Sequence, residues 1–503
     1  MMSADSKIGW SSIKLNDLTT FVIGGDWGKD VEDETNNDFF EVGCIRAAEL
    51  KNWRIEKGKT AALRKIKGSS LESRELTSGD IILEISGGGP DQPVGRTVYI
   101  DEETIEQSPV PLVCTNFFRL LRMTDFVNIR YIQNYLHFHY LSGDIIKYQG
   151  GSNNLRNLRF SDYKEINIPL APRQEQNRIS QKIETIFMHI DSLNSRIDTI
   201  PQLLKQFRQQ VLSYAVSGKL TEDWRKGKKL KNGLLEIQSN RQKYFDKIGK
   251  VGNSKKPNST PFNKFELDEN YKLPTSWNIA NIKNIADLIT DGEHATPKRS
   301  SEGYYLLSAR NIQNGYISLD KVDFVPEDEY LRIKKRCNPE FNDVLISCSG
   351  SVGRVCTVPI NLKFVMVRSA ALIKLQSNQD SAKYIEFVLR SDLVQNQIKK
   401  LQKATAQANL FIEPIGKIVI PIPSIIEQKE IVRRVENLFF YADAIEEKYK
   451  TVLTSVEQLP HSILKKAFEG SLVKQNPKDE PAEKLVERIK KNNISNSSKK
   501  NKR

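Results

Sequence analysis

The sequence predicts an α+β fold in which two mixed α/β globular domains are joined by two long antiparallel coiled-coil helices, with a pseudo-two-fold internal repeat. Three observations predict it. Residues 157–220 lie over residues 409–472 without a gap, at a constant spacing of 252. Asn157-Leu158 matches Asn409-Leu410, Ile168-Pro169 matches Ile420-Pro421, and Glu175-Gln176 matches Glu427-Gln428. Leu212, Ala215, Gly218 and Leu220 match Leu464, Ala467, Gly470 and Leu472. Within each copy the apolar residues step alternately by four and three, the heptad pattern of a coiled coil. Upstream of each copy the chain passes through a similar series of strand-like and helix-like runs. Such a duplication makes a molecule with two similar halves, which suits a partner that also has two halves.

The first globular domain takes residues 1–168. Its strand-like runs include Ile81–Ile85 and Val98–Ile100, and Tyr131–Leu141 is aromatic-rich and helix-like. The second takes residues 269–420. Trp10, Leu15, Leu18 and Gly25 match Trp277, Ile282, Ile285 and Gly292 at one offset, and Asp80-Ile81-Ile82 matches Asp343-Val344-Leu345. Val94-Gly95-Arg96 matches Val352-Gly353-Arg354 once five extra residues in the first domain are allowed for. Matching is patchier here than downstream, which points to one scaffold carrying two different surfaces.

Residues 169–220 and 421–476 form the two conserved helices. In the first the stripe runs from Ile179 to Val211, with Ile183, Ile190, Ile197 and Leu204 at pairing positions. In the second it runs from Ile431 to Ile463, with Val435, Ala442, Tyr449 and Val456 in those places. Each stripe spans 33 residues, roughly 50 Å at about 1.5 Å per residue. Two stripes in one chain most economically pair with each other, and an antiparallel pair places one domain at each end. Mid-stripe Ile190 and Ile445 are both expected to be buried. Pro201 and Pro460 should kink or interrupt the helices, and Gly218 and Gly470 are natural stops. Residues 221–268, holding Pro257 and Pro261, read as a basic, partly helical linker. Residues 477–503 read as a C-terminal helix and basic tail.

The net charge of +14 suggests nucleic acid, but its distribution qualifies that. The stretch Arg225–Lys264 carries 12 Lys/Arg against 2 Asp/Glu, and Ala482–Arg503 carries 8 against 2. Together these exceed the whole net charge, so the globular parts are slightly acidic and tight DNA binding by this chain alone is not implied. No N-terminal apolar stretch follows a basic start, and no apolar run approaches the roughly 20 residues that cross a bilayer. Cys44, Cys114, Cys337, Cys348 and Cys356 include no CxxC, which suggests reduced thiols in the cytoplasm.

These residues carry a resemblance. Each long helix is introduced by Ile-Pro-Leu-Ala-Pro-x-x-Glu-Gln (168–176) or Ile-Pro-Ile-Pro-x-x-x-Glu-Gln (420–428) and ends in a Gly-x-Leu element, and the second domain opens with Leu273-Pro274-x-x-Trp277. Over essentially its whole length the chain resembles the specificity (S) subunit of a Type I restriction-modification system. The resemblance implies that the globular parts are target recognition domains, each reading one half of a bipartite, asymmetric double-stranded DNA target. It implies that the helices fix the unread spacer and dock two methyltransferase (M) subunits, adenine-N6 enzymes using S-adenosylmethionine. Two restriction (R) translocase-nuclease subunits, using ATP and Mg, join in some systems; a methylation-only system stays open. The chain itself would bind no cofactor or metal, span no membrane and catalyse nothing. A rod of the length above can hold two readers about one turn of B-DNA apart, roughly 34–36 Å, and partner subunits can supply much of the phosphate neutralisation.

Base readout needs Arg, Lys, Asn, Gln, Ser or Thr on a protruding loop. The first candidate is the hairpin tip from Ser86 to Arg96, with Gly87 and Arg96, matched by Ser349, Ser351 and Arg354; glycines there permit close approach to phosphate. The second is the polar run before each helix: Asn153, Asn154 and Arg156, then Lys403, Thr405 and Gln407. The third is Arg64 and Lys65, echoed at Lys334–Arg336, a kind of cluster that meets phosphates more often than bases. An ordinary turn, a solvated loop and a solvated face are the respective alternatives. Arg310-Asn311 stands where the first domain has Ala48-Glu49, a difference that divergent readout or drift would produce.

A fused methyltransferase would need an Asn/Asp-Pro-Pro-Tyr/Phe loop, and no Pro-Pro occurs. Gly58-Lys59-Thr60 mimics the end of a P-loop, but Trp53 occupies the place of its first glycine. His137-x-His139 reads as packing on an aromatic helix. A structural adaptor with no base reading is the remaining alternative.

Overall fold

The computed structural model describes residues 7–89, 92–151, 156–248, 272–403 and 409–500, with residues 403 and 496–500 as backbone alone. They form two compact units: unit 1 is residues 1–198 with 451–503, and unit 2 is residues 199–450. In unit 1 come β1 (Ser11–Lys14), β2 (Thr19–Gly24), β3 (Phe39–Ile45), β4 (Ala62–Lys67), β5 (Ile81–Glu84), β6 (Ser86–Gly88), β7 (Thr97–Tyr99), β8 (Leu112–Cys114), β9 (Phe118–Met123), helix α1 (Ile129–Leu141), β10 (Gln149–Gly150), β11 (Arg156–Leu158), β12 (Asn167–Leu170) and helix α2 (Arg173–Ile197). Unit 2 has α3 (Ile200–Ser217), α4 (Gly233–Ile248), β13 (Asn278–Asn281), β14 (Leu288–Asp291), β15 (Tyr304–Leu307), β16 (Asp323–Val325), β17 (Val344–Ser347), β18 (Val355–Thr357), β19 (Phe364–Met366), β20 (Ala370–Lys374), α5 (Ala382–Arg390), α6 (Asp392–Lys403) and β21 (Val419–Ile422). Helix α7 (Ile425–Phe468) belongs to unit 2 through Lys450 and then to unit 1, which α8 (Ala482–Lys500) completes.

The sheets repeat in register. In unit 1, β1 pairs with β12, a four-stranded antiparallel sheet has the order β2-β9-β5-β7, and a three-stranded sheet has the order β4-β3-β8 with β3 and β8 parallel. Unit 2 reproduces all three as β13-β21, β14-β20-β17-β18 and β16-β15-β19, again with the last two strands parallel. Ser11 faces Leu170 as Asn278 faces Ile422. β8 and β9 recur as β19 and β20 at the same spacing of 252, so the structural repeat begins well before Asn157, although the intervening Tyr131 and Tyr384 stand 253 apart. It also runs on past Leu220: Leu234 and Ile237 of α4 are buried, and so are Val486 and Ile489 of α8 at that spacing. The segment read as a linker therefore carries the counterpart of the C-terminal helix.

Matched residues have physical reasons to match. A Cβ at Gly25 would stand 2.1 Å from the carbonyl oxygen of Cys114, and one at Gly292 would stand 2.1 Å from that of Met366. Only glycine lets the backbone approach this closely. Gln176 Nε2 donates to the Ala171 carbonyl at 2.8 Å and Gln428 Nε2 to the Pro423 carbonyl at 2.9 Å, which ties each long helix to the strand before it. Tyr131 and Tyr384 donate their hydroxyls to the carbonyls of Pro169 and Pro421, at 2.6 and 2.9 Å. The glutamates differ. Glu427 is buried, accepts from Trp277 Nε1 at 3.0 Å and Thr221 Oγ1 at 2.8 Å, and pairs with Arg225. Glu175 is equally buried, but its Oε1 has no hydrogen-bond partner among the described residues, and burial pushes its carboxyl above the usual range.

The rod differs from expectation in two respects. Ile183, Ile190, Ile197 and Leu204 are buried, as are Val435, Ala442 and Val456, with Tyr449 half-buried. The alternate heptad positions are buried at Ile179 and Ile431, near the start of each stripe, and open farther along: Leu193 and Phe207 are 40% exposed and Ile445 is 50% exposed. Ile445, expected in the seam, is thus on its flank, because a two-helix contact covers only the centre line of each stripe. In unit 2 the pairing is antiparallel: Val211 and Leu212 share a core with Ile431 and Val435, while Arg208, earlier on α3, bonds Asp443 and Glu446, later on α7. The prolines also part company. Pro201 lies in the first turn of α3, where its fixed φ suits a helix start; α2 has ended at Ile197. Pro460 lies inside α7, which continues through it. Gly218 and Gly470, both at φ +77°, end their helices in the left-handed conformation.

All five cysteines are free and buried, and burial pushes each thiol up to about 12. Among the described residues no helix is long and apolar enough to cross a membrane.

Candidate nucleic-acid interface

The four-stranded sheet of each unit has a helix end and a free end. β12 leads directly into α2, and β2 starts five residues after the end of β1, the partner of β12, so the start of β2 lies at the helix end. The free end gathers the last residues of β2 and β5 with the first of β7 and β9. In unit 2 it gathers Asp291, Ser347, Val355 and Ala370.

The structure brings the first two sequence candidates together there. Leu158 N donates to the Ile85 carbonyl at 2.8 Å, and Leu410 N to the Cys348 carbonyl at 2.9 Å. Each polar run is thereby pinned to the end of the glycine-containing segment, and the leucine that recurs there is buried in both units. Ser349 and Asn409 line a cavity of about 530 Å³ with Asp291, His294, Arg368 and Phe411. His294 Nε2 lies 2.7 Å from Asp291 Oδ2, and Arg336 reaches Asp291 Oδ1 at 3.0 Å.

Several candidates are committed elsewhere. Gly87 lies in the connection between the paired strands β5 and β7 as expected, but not in an open turn: Ser86–Gly88 is strand β6, paired with β11, and Arg156 faces Gly88 across that ladder. Arg96 forms a two-pronged ion pair with buried Glu84, with Nε at 2.9 Å from Oε2. Arg64 is buried, pairs with Asp30 and stacks on Trp27 at 4.2 Å. Its neighbour Lys65 donates to the Asp33 carbonyl at 3.2 Å. Arg310 is held by Asp323 at 2.8 Å. Asn311 is fully buried and closes a capping box with Ser308. Their types suited readout, but carboxylates and carbonyls claim the cations, and the neighbouring Ser308 claims Asn311.

Ser349, Ser351 and Arg354 keep the expected position. The turn holding them is braced by Ser347 Oγ, which donates to the Ser351 carbonyl at 2.6 Å, and a Cβ at Gly350 would meet nothing within 4 Å. Glu84 has been replaced in unit 2 by Ser347, so Arg354 has no ion-pair partner among the described residues. Asn153, Asn154, Thr405, Gln407 and the Lys403 side chain lie outside the described residues. Arg119 and Arg368, missed in the sequence, stand at this end without an ion-pair or side-chain hydrogen-bond partner among the described residues. Among the described residues no group of His, Cys, Asp or Glu could hold a metal ion; His137 is instead held down to about 4 by burial, with Arg54 acting in the same direction.

Comparison with known proteins fits this architecture. The profile of the Type I restriction modification DNA specificity domain matches residues 7–202 and again 274–455. The chain belongs to that family, and its role is sequence-specific DNA recognition in a Type I restriction-modification system. It is 27% identical to the Type I restriction enzyme EcoKI specificity subunit of Escherichia coli strain K12, over 96% of this chain and 95% of that one. With the EcoBI specificity subunit of Escherichia coli it shares 31% identity over 64% of each chain, just under two thirds of that relative's length. In fold it is similar to the HsdS subunit from Thermoanaerobacter tengcongensis, with a TM-score of 0.52 at 16% identity, over 94% of this chain and all of the other.

Proposed function

We propose that each unit reads one half of a bipartite, asymmetric DNA target with the free end of its four-stranded sheet. The paired helices set the length of the unread spacer, and their exposed apolar flank, including Phe207 and Ile445, docks two methyltransferase subunits. In this reading the chain is a non-catalytic recognition subunit with its recognition domains in residues 1–168 and 269–420. S-adenosylmethionine serves the methyltransferase subunits, and ATP and Mg serve two restriction subunits where these join. The complex works in the cytoplasm, where the DNA is.

One observation carries this reading: the two units share their strands, registers and helix anchors, yet differ in charge and hydrogen-bonding groups at the free ends. A common frame with two different faces is what an asymmetric, two-part target requires. The test is a methylome of cells producing this chain with its methyltransferase subunits, and of cells lacking this chain. A split motif with methylated adenine in both halves, lost without this chain, is the expected result. Methylation that is absent or unchanged on removal favours an adaptor. Deleting one turn, about 4 residues, from both long helices should shorten the spacer; an unchanged spacer would remove the ruler from the proposal.

A further inference from the structure

Arginine commitment singles out very few candidates at the free ends. Among the described residues of unit 1, every arginine but one is held in an ion pair or hydrogen bond. The exception is Arg119, at the start of β9. It lies across the ladder from Gly24, whose missing side chain leaves the guanidinium its room: a Cβ there would stand 2.9 Å from one terminal nitrogen. Arg119 Nε is buried with no partner, an expensive arrangement for a cation. In unit 2 every arginine is likewise committed except Arg354 and Arg368. The position equivalent to Arg119 is Ala371, and facing it is Asp291 instead of glycine. Arg368, exposed on the turn between β19 and β20, lines the cavity at that end.

Unit 1 therefore presents one free guanidinium at this end and unit 2 presents two: Arg354, at the place of the paired Arg96, and Arg368, which lines the cavity from a position not equivalent to Arg119. We propose that Arg119 and Arg368 are the specificity-determining arginines of the two units, each offering its planar fork to a guanine edge in its own half-site; the inference rests on the reading above. The fork matches guanine O6 and N7 in the major groove. A phosphate contact carries no sequence information, so nothing would drive it to move between two otherwise congruent sheets. A base contact has that reason.

The test uses the full chain produced with its methyltransferase subunits and a DNA library with randomised half-sites, read by sequencing the methylated products. Arg119→Gln should relax a guanine-containing position in one half by about ten- to hundredfold and leave the other half intact; Arg368→Gln should do the reverse. If Arg119→Gln fails to assemble, Arg119→Met keeps the stem over Gly24 and makes the same prediction. An unchanged motif overturns the proposal, and so does a uniform fall in methylation with both halves preserved, the signature of a phosphate contact. If the unsubstituted chain directs no split motif at all, the functional reading itself has failed.

Discussion

The helix ends and the free ends of the two sheets follow different rules. At the helix ends the glutamine and tyrosine anchors agree bond for bond: Gln176 and Gln428 donate to equivalent carbonyls, and Tyr131 and Tyr384 do the same, while the glutamates beside them differ. At the free ends Glu84 has become Ser347, Gly24 has become Asp291 and Arg119 has become Ala371. A buried anchor resists change because each substitution strands a partner without a hydrogen bond. At the free end Glu84 is buried as well, but its partner, Arg96, has solvent on its other side, so when Ser347 takes the carboxylate's place the matching Arg354 stays hydrated. The frame is therefore the conserved part, and the faces are free to be reassigned.

Four experiments would break or sharpen the comparison, beginning with the largest effect. In the rod, Ile190→Asp should cost about 4 kcal/mol by placing a charge in the seam, while Ile445→Asp on the flank should cost under about 1 kcal/mol; equal losses in denaturant unfolding would put both residues in the seam. At the anchors, Glu427→Gln leaves the half-buried Arg225 beside a neutral amide and should cost about 3 kcal/mol. Glu175→Gln should cost under about 1 kcal/mol, since that carboxyl is already under-satisfied. Melting temperatures of the two variants decide, and parity would mean the anchors are equivalent after all. At the free ends, Arg96→Ala strands the Glu84 carboxylate and should cost about 2 kcal/mol, whereas Arg354→Ala should be nearly neutral in stability; a matching loss at Arg354 would reveal a partner for it.

The smallest effect concerns pH. His137 on α1 is held down to about 4 by burial, while an unfolded histidine takes up its proton near 6.5. The unfolded chain therefore binds the proton first as pH falls. The stability contribution is complete above about 6.5 and is lost progressively toward 4. α5, the counterpart helix in unit 2, contains no histidine. His137→Gln should flatten the unfolding midpoint between those pH values, and an unaltered slope would assign the dependence to other groups.

Much of the frame was legible in the sequence because covalent and steric demands fix residue identity there. Gly25 and Gly292 match because a carbonyl leaves no room for a Cβ, and the Glu-Gln pairs match because their side chains answer particular backbone groups. The repeat of β8 and β9 was not legible. Leu112–Cys114 and Phe364–Met366 need only be apolar, so Leu-Val-Cys and Phe-Val-Met serve equally, and the single shared valine is too little to mark the match. The candidate interface was legible by segment and not by residue. The glycine stretch and the polar run were singled out separately, and a backbone bond from Leu158 to Ile85 joins them. Arg64, Arg96 and Asn311 have the chemistry of readers, yet Asp30, Glu84 and Ser308 claim them. Arg119 carried no signal at all, since its freedom consists of carboxylates that lie elsewhere.

The return of the chain to unit 1 has a consequence for how the molecule is made. Ala482 N donates to the Gly9 carbonyl at 2.8 Å, and Ile8 N donates to Gln475 Oε1 at 3.0 Å, so residues from the two extremes of the sequence close one body. A ribosome delivers unit 2 as one continuous stretch that can fold as it emerges, but the residues that complete unit 1 come last, after the whole of unit 2 has been translated. During that interval the first-made unit lacks α8 and the end of α7, and the apolar surface they cover stays open to chaperones. A message cut short after unit 2 would therefore yield a product in which the later-synthesised unit is the better folded, and a protease would remove it from the other end.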